Sequence, residues 1–181
     1  MLRNMRFQNR PLNPVNMALL IQANRAMAGG KPGEAAPLFA QLAQHMEANQ
    51  HPRRAGIFHA MAANASADSN SEQVALEHAR AALQAFLQYQ MNQRASMFYT
   101  NITRKMNEHG MKGSADQLEK EFGGQVRKLP AAPAAGAAQH HGVLPTNCTK
   151  CGAPIHGNEA NWVDENTIEC EYCGVLIRSG Q

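Results

Sequence analysis

The chain has 181 residues, of which 44% are hydrophobic but only 6% aromatic, and its formal net charge is +3. This length fits one modest domain and a small additional module. The longest strongly apolar run, residues 17–21, is far shorter than the roughly 20 residues that cross a bilayer. We therefore expect no membrane span. The basic start of the chain also lacks the apolar stretch that follows it in a secretory signal.

Residues 1–12 form a basic segment at the start of the chain. Arg3, Arg6 and Arg10 lie in it, and it contains no acidic residue. We expect a solvated tail, as is usual for such termini. The alternative is an arm that docks on a partner or on a membrane surface.

Residues 13–124 carry apolar positions at helical spacing and predict six helices in a mainly α fold. Asn13-Pro14 has the pattern of an N-cap followed by proline at the first helical position, and Gly29-Gly30 predicts the end of that helix. Ser69-x-x-Glu72 and Ser114-x-x-Gln117 match capping boxes that open the fourth and sixth helices. The expected helices lie at about 14–28, 33–48, 52–67, from the capping box at 69 onward, 92–109 and 114–122.

These helices form three pairs with a period of about 40 residues, in which Ala35, Ala75 and Ala115 are equivalent. Stacked pairs bury the apolar stripes that a single pair leaves open. The step Ala35-x-x-x-Phe39 and the small residues Ala23 and Ala63 resemble the tetratricopeptide superfamily, although the period is longer than 34 and the third pair is short. The resemblance implies a right-handed solenoid of about three helix pairs with a groove. An irregular helical bundle is the alternative.

The same resemblance implies that the first helix of each pair lines the groove. Asn24 and Asn64 match the place where peptide-binding members hold a ligand's main chain, and Arg104 lies on the same face of the third pair. Leu20 and Ala60 stand where a carboxylate clamp would need basic residues, which argues against a C-terminal carboxylate ligand. Methionines on this face suit an apolar protein segment, or they belong to the core.

Residues 125–145 separate the helices from the cysteines. They include the uncharged, Ala/Pro-rich run 129–138, which has no apolar stripe to bury. We expect an extended linker that leaves the two modules independent of each other.

All four cysteines lie near the end of the chain, in two C-x-x-C-G pairs with eighteen residues between them. Cys148 and Cys151 form the first pair, and Cys170 and Cys173 the second. Two such pairs supply the four thiolates of a closed, structural zinc site. The glycine after each pair suits a turn residue with positive φ. The alternatives are two disulfides or four free thiols.

This pattern resembles the zinc-ribbon family over about residues 146–179, and we assign residues 146–181 to that module. Residues 161–163 and 167–169 predict two short strands joined by a turn. If Val163 and Ile168 pack inside, strand alternation turns Trp162 outward, where it would form a protein-docking hot spot. The alternative is that the Trp162 indole covers the ribbon's own core.

The charge is distributed unevenly between the two modules. From Thr146 onward two basic residues stand against five acidic ones, a net of −3, so that the preceding residues carry +6. An acidic ribbon is poorly suited to bind a polyphosphate, and the basic residues of the helical part form no dense block.

No catalytic motif stands out in the sequence. We therefore expect a non-enzymatic adaptor that binds a protein partner and contains one structural Zn²⁺. Metal-type cysteine spacing without a secretory signal favours a reducing, cytoplasmic location. The alternative is a nucleic-acid-associated factor of the transcription or translation type, a setting in which zinc ribbons are common.

Overall fold

The computed structural model describes residues 11–129, 143–155, 161–164 and 166–180, with side chains described outside 161–164. The basic residues 1–10 and the centre of the expected linker lie outside the described residues. Helices dominate, as the sequence predicts. They are α1 (Pro14–Ala28), α2 (Pro32–Ala48), α3 (Pro52–Asp68), α4 (Glu72–Gln88), α5 (Asn92–Glu108), α6 (Lys112–Leu118) and α7 (Gly124–Val126). None of the helices in the described part is long and apolar enough to cross a membrane.

From α2 to α6 the helices begin at intervals of 20 residues. α2, α3, α4 and α5 each contain 17 residues, and each is preceded by a three-residue turn. The middle residue of every turn has a positive φ, between 56° and 77°, at Gly30, Gln50, Asn70, Gln90 and Gly110. The next residue donates its N–H to the carbonyl five positions earlier, at 2.8–2.9 Å. This bond belongs to the Schellman motif, which therefore ends each helix and sets the start of the next.

The structure confirms one predicted cap and shows that two are wrong. Asn13 Oδ1 accepts a hydrogen bond from a backbone N–H of the first turn of α1, at 2.8 Å. Ser69 does not cap α4, because its hydroxyl donates to a carbonyl of the preceding helix at 3.1 Å. Ser114 lies inside α6, where its hydroxyl donates to Glu72 Oε1 at 2.7 Å. The positive-φ turns determine these helix starts without capping side chains.

Consecutive helices pack against each other, and α3 also contacts α5 while α4 contacts α6. Phe39, Phe58 and Phe86 are fully buried between them. α3 and α4 approach closely at Gly56, where an added Cβ would lie 2.8 Å from the Cβ of Ala85. The core therefore follows the predicted apolar stripes from helix to helix.

The helical part continues further than expected at its end. A π-helical turn, Glu119–Gly123, follows α6 and leads into α7. Val126 is buried, and Leu129 packs against the same core. The helix therefore extends two residues into the segment expected to be linker.

The cysteine-containing part forms a small antiparallel sheet in the order β1 (Asn161–Asp164), β2 (Thr167–Glu169) and β3 (Leu176–Arg178). β1 and β2 confirm the two predicted strands. Ile168 pairs with Ile177, and both side chains are buried. Val143 forms a bridge with Gly180, so the contacts of this part begin at Val143. We call residues 143–180 the ribbon.

Candidate metal centre and adjoining cavity

The four cysteine sulfurs form one buried cluster. Their Sγ atoms all lie within 4.8 Å of one another, and all four cysteines are free thiols. Cys148 Sγ lies 3.7 Å from Cys173 Sγ, and Cys151 Sγ lies 3.9 Å from Cys170 Sγ. A tetrahedral site with Zn–S bonds of about 2.3 Å has sulfur–sulfur edges of about 3.8 Å. The cluster therefore has the dimensions of a metal site and not those of two disulfides, whose sulfurs lie about 2.05 Å apart.

The two C-x-x-C-G turns have nearly the same backbone. The N–H of Gly152 donates to the carbonyl of Cys148 at 2.8 Å, and that of Gly174 donates to Cys170 at 2.7 Å. Both glycines have φ of 76°. This confirms the reason for a glycine at these positions, because other residues adopt this conformation only with strain.

Hydrogen bonds within the cluster give its thiols different pKa values. The thiols of Cys151 and Cys173, together with backbone N–H groups of Cys173 and Tyr172, lower the pKa of Cys170 to about 2. The bond to Cys170 raises the pKa of Cys151. Cys170 is thus the thiolate that its neighbours stabilise. A metal ion would hold all four groups as thiolates and release the remaining protons.

The ribbon lies directly on the helices, against the expectation of independent modules. Asn24 of α1 donates its side-chain N–H to the carbonyl of Cys151 at 2.8 Å. The N–H of Leu12 donates to the carbonyl of Cys173 at 3.1 Å. Each turn is therefore held through the carbonyl of its second cysteine. The buried residues of the ribbon and those of the helices form a single core cluster.

Two ion pairs join the same surfaces. Arg54 of α3 lies 3.9 Å from Glu169, and both side chains are only 9% exposed. Arg94 of α5 pairs with Glu171. Burial lowers the pKa of Arg54, while the nearby charges of Glu169 and of two cysteines act in the opposite direction. Part of the opposite net charge of the two modules is thus used in ion pairs between them. The charge difference was the one feature of the sequence that could have indicated contact between the ribbon and the helices.

The predicted binding residues have different surroundings. The resemblance implied that Asn24 holds the main chain of a ligand, but here Asn24 donates to a carbonyl in the ribbon of the same chain. Asn64 is half-buried and donates to the Ala60 carbonyl of its own helix at 3.0 Å. Arg104 is exposed and pairs with Glu108, four residues later. The side chain of Trp162 lies outside the described residues, and the register pairs Trp162, and not Val163, with Ile168.

A cavity of about 210 Å³ lies between the helices and the ribbon. Its lining includes Ala60 and Asn64 of the predicted groove face, together with Tyr172 of the ribbon. Leu20 of that face is instead fully buried in the core. The cavity is lined by Ile57, Ala60, Met61, Asn64, Phe86, Arg94, Met97, Phe98, Asn101 and Tyr172.

Comparison of the chain with protein-family models, with curated proteins and with solved structures finds no match in any of the three. Inference about function therefore depends on the metal centre, the contacts around it and the cavity.

Proposed function

We propose that the chain is a non-enzymatic interaction scaffold, in which a tetratricopeptide-like solenoid carries a structural zinc ribbon. The regular spacing of α2 to α5, which have equal lengths, supports this proposal, because repeat architectures stack equal units. The contacts of α3 with α5 and of α4 with α6 support it further, since they relate equivalent helices of successive pairs.

The proposed metal is one Zn²⁺ held by Cys148, Cys151, Cys170 and Cys173. Four buried sulfurs at tetrahedral spacing fit this ion and complete its coordination. A closed site has no position for a substrate or a reactive water, so the zinc would stabilise the ribbon and take no part in catalysis. Thiolate ligands of this kind belong to a reducing compartment, and we propose a cytoplasmic location.

The cavity between the helices and the ribbon is the observation that carries the proposal of protein binding. Its lining includes the apolar side chains of Ile57, Met61 and Phe98 and the side-chain amides of Asn64 and Asn101. An apolar side chain of a partner would pack against the former, while amides can bond the partner's main chain. Met97 is 39% exposed and adapts to irregular shapes.

A photo-crosslinking residue introduced at Met97 tests this proposal in the native cell. A matched control carries the same residue at Val74, which has a similar exposure of 43% on α4. We expect covalent adducts with a discrete protein at position 97 and none at position 74. The adducts should disappear when Ile57 is replaced by glutamate, because a charge in the cavity lining excludes an apolar side chain.

Adducts of equal yield at both positions, or no adducts at either, would contradict protein binding at the cavity. Retention of the purified chain on single-stranded nucleic acid, falling steeply as salt is added, would favour the nucleic-acid alternative, because phosphate contacts release counterions.

A further inference from the structure

Every contact described above between the ribbon and the helices reaches a metal ligand or its immediate neighbour. The acceptors of Asn24 and Leu12 are the carbonyls of Cys151 and Cys173. Glu169 and Glu171, which pair with arginines of the helices, flank Cys170 in the sequence. The surface through which the ribbon docks is therefore built from the two turns that would hold the metal.

A module of this size buries too little apolar surface to keep these turns in place by itself. In small zinc domains the metal supplies most of the folding free energy. If the metal leaves, the carbonyls of Cys151 and Cys173 lose the fixed positions at which Asn24 and Leu12 bond to them. The docking contacts then lose their geometry together with the site.

The charge of a filled metal site also favours docking of the ribbon. Zn²⁺ with four thiolates carries a net charge of about −2. Arg54 lies beside this centre, because its Nη2 atom is 2.8 Å from the point that a Cβ on Gly174 would occupy. A nearly buried guanidinium next to a dianionic centre stabilises both the centre and the contact between the modules.

We propose that metal binding and docking of the ribbon are thermodynamically coupled, so that the ribbon covers the surface of α1, α3 and α5 only while the metal is bound. Asn24, Arg54 and the N–H of Leu12 are positioning groups for the metal centre, although none of them is a ligand. This coupling rests on the proposed zinc site, but it is independent of the identity of any partner. By reciprocity, docking tightens metal binding by the same factor by which the metal tightens docking.

The first test compares the zinc affinity of two full-length variants by competition with a chromophoric chelator. Asn24→Ala removes the hydrogen bond to the Cys151 carbonyl. Asn64→Ala is the matched control, because Asn64 is equivalent in the 40-residue repeat but bonds to its own helix. We expect the zinc dissociation constant of Asn24→Ala to rise roughly tenfold or more, as for other groups that position ligands. The control should equal the wild type.

The second test uses the two glycines that end the turns. Gly152→Ala and Gly174→Ala introduce the same backbone strain, since both residues have φ of 76°. An added Cβ at Gly174 would meet Arg54 and Pro11, whereas the one at Gly152 would stay 3.8 Å from its nearest neighbour, Asn24. We expect Gly174→Ala to weaken zinc binding more than Gly152→Ala, and the difference measures the contribution of docking.

The third measurement follows docking without a mutation. The amide proton of Leu12 bonds to the Cys173 carbonyl, so its exchange with solvent reports on the contact. In the full chain we expect slow exchange with zinc and fast exchange after chelation, while amides inside α2 remain protected in both states.

Equal zinc affinities of Asn24→Ala and Asn64→Ala, with Leu12 exchange unaffected by chelation, would overturn the coupling and leave the zinc site intact. A wild-type chain that binds no zinc would overturn both. Neither result depends on the crosslinking experiment, so failure of the coupling and failure of the proposed partner binding are distinguishable.

Discussion

Gly56 sets the distance between α3 and α4. An added Cβ would lie 2.8 Å from Ala85 and 3.3 Å from the ring of Phe86, and both neighbours belong to the packed core. We expect Gly56→Ala to lower the free energy of unfolding by about 1–3 kcal/mol, because overpacking outweighs the better helix propensity of alanine. Urea denaturation monitored by the helical far-ultraviolet signal measures this change.

The matched control is Gly113→Ala. Gly113 lies in the first turn of α6, and an added Cβ there meets no atom within 4 Å. We expect a neutral or slightly stabilising effect, of up to about 1 kcal/mol. A Gly56→Ala variant as stable as this control would show that the helices separate without cost.

A pair of histidines, the buried His59 and the half-buried His78, joins α3 to α4. His59 Nδ1 lies 3.0 Å from His78 Nδ1, and His59 Nε2 lies 3.0 Å from Glu47 Oε1. At least one nitrogen in the short contact must be an unprotonated acceptor. Burial, followed by the charge of His59, lowers the pKa of His78, while Glu77 and Glu47 oppose the shift.

A lowered pKa in the folded state means that the unfolded chain binds the proton more readily. The contribution of His78 to stability is therefore fully present above its ordinary pKa of 6.5, and it is lost as the pH falls through the lowered folded value. We expect the urea midpoint of the wild type to fall between pH 7.5 and pH 5. His78→Gln keeps a polar side chain but does not titrate, and its midpoint should fall less. An equal decrease in both proteins would contradict this assignment.

Single residues were predictable where chemistry restricts the choice. The clustering of the four cysteines and the positive φ of the glycines after them follow from the spacing of the two pairs and from backbone conformation. Asn24 was predicted to hold the main chain of a bound partner, and the sequence could not show that it bonds the carbonyl of Cys151 in the same chain, 127 positions away. Every residue has a backbone carbonyl, so the residue type does not identify which carbonyl accepts the hydrogen bond.

Two of the five turns between helices have a glutamine, Gln50 or Gln90, at the position with positive φ, and glutamine is poorly suited to this conformation. Gln90 has φ of 56° in the turn between α4 and α5. A residue other than glycine destabilises the folded state by about 1 kcal/mol or more in this region. Glycine avoids this strain, but its greater freedom in the unfolded chain cancels part of the gain. We expect Gln90→Gly to stabilise the protein by about 0.5–1 kcal/mol in urea denaturation.

The same substitution inside a helix serves as the control. Gln84 is exposed on α4, and Gln84→Gly should destabilise by about 1 kcal/mol. If both substitutions had the same sign, the positive φ would not be the cause of the difference.

The existence and order of the helices were predictable, because their apolar stripes extend over four or five turns. The interactions that determine where each helix starts were harder to predict. Ser69-x-x-Glu72 satisfies the capping pattern by residue type, but its hydroxyl bonds backwards into α3. Gln50 and Gln90 gave no turn signal at all, since glutamine rarely adopts a positive φ. The repeated geometry of the chain, and not the local residue, imposes those turns.

Removal of the metal should unfold the ribbon and leave the helices folded. We expect protein purified without a metal-affinity tag to contain close to one zinc per chain. A chelator should then abolish the ordered ribbon while most of the helical far-ultraviolet signal remains, because Phe39, Phe58 and Phe86 are buried between helices. Circular dichroism and the amide spectrum of β2, before and after chelation, check both statements. Collapse of the helical signal on chelation would contradict them.

The docked arrangement of the ribbon was the least predictable feature of the molecule. An Ala/Pro-rich run argues for a flexible connection, and flexibility of a linker says nothing about the affinity of the surfaces that it joins. Glu169 and Glu171 were counted as acids of an exposed ribbon, but they meet Arg54 and Arg94. Contact between surfaces that are distant in the sequence depends on their three-dimensional shape and on the positions of their charges. A charge count gives only the sign of each surface.

The ribbon touches α1 through Asn24, α3 through Arg54 and α5 through Arg94. Arrays of equal helical units usually tolerate gene duplications, because an added unit meets the same neighbours as the old one. Here an inserted copy of residues 52–91 would place an extra pair of helices between Asn24 and Arg94, and a ribbon of fixed size could no longer reach both. Duplication of this segment would therefore break at least one of the contacts through which the ribbon docks.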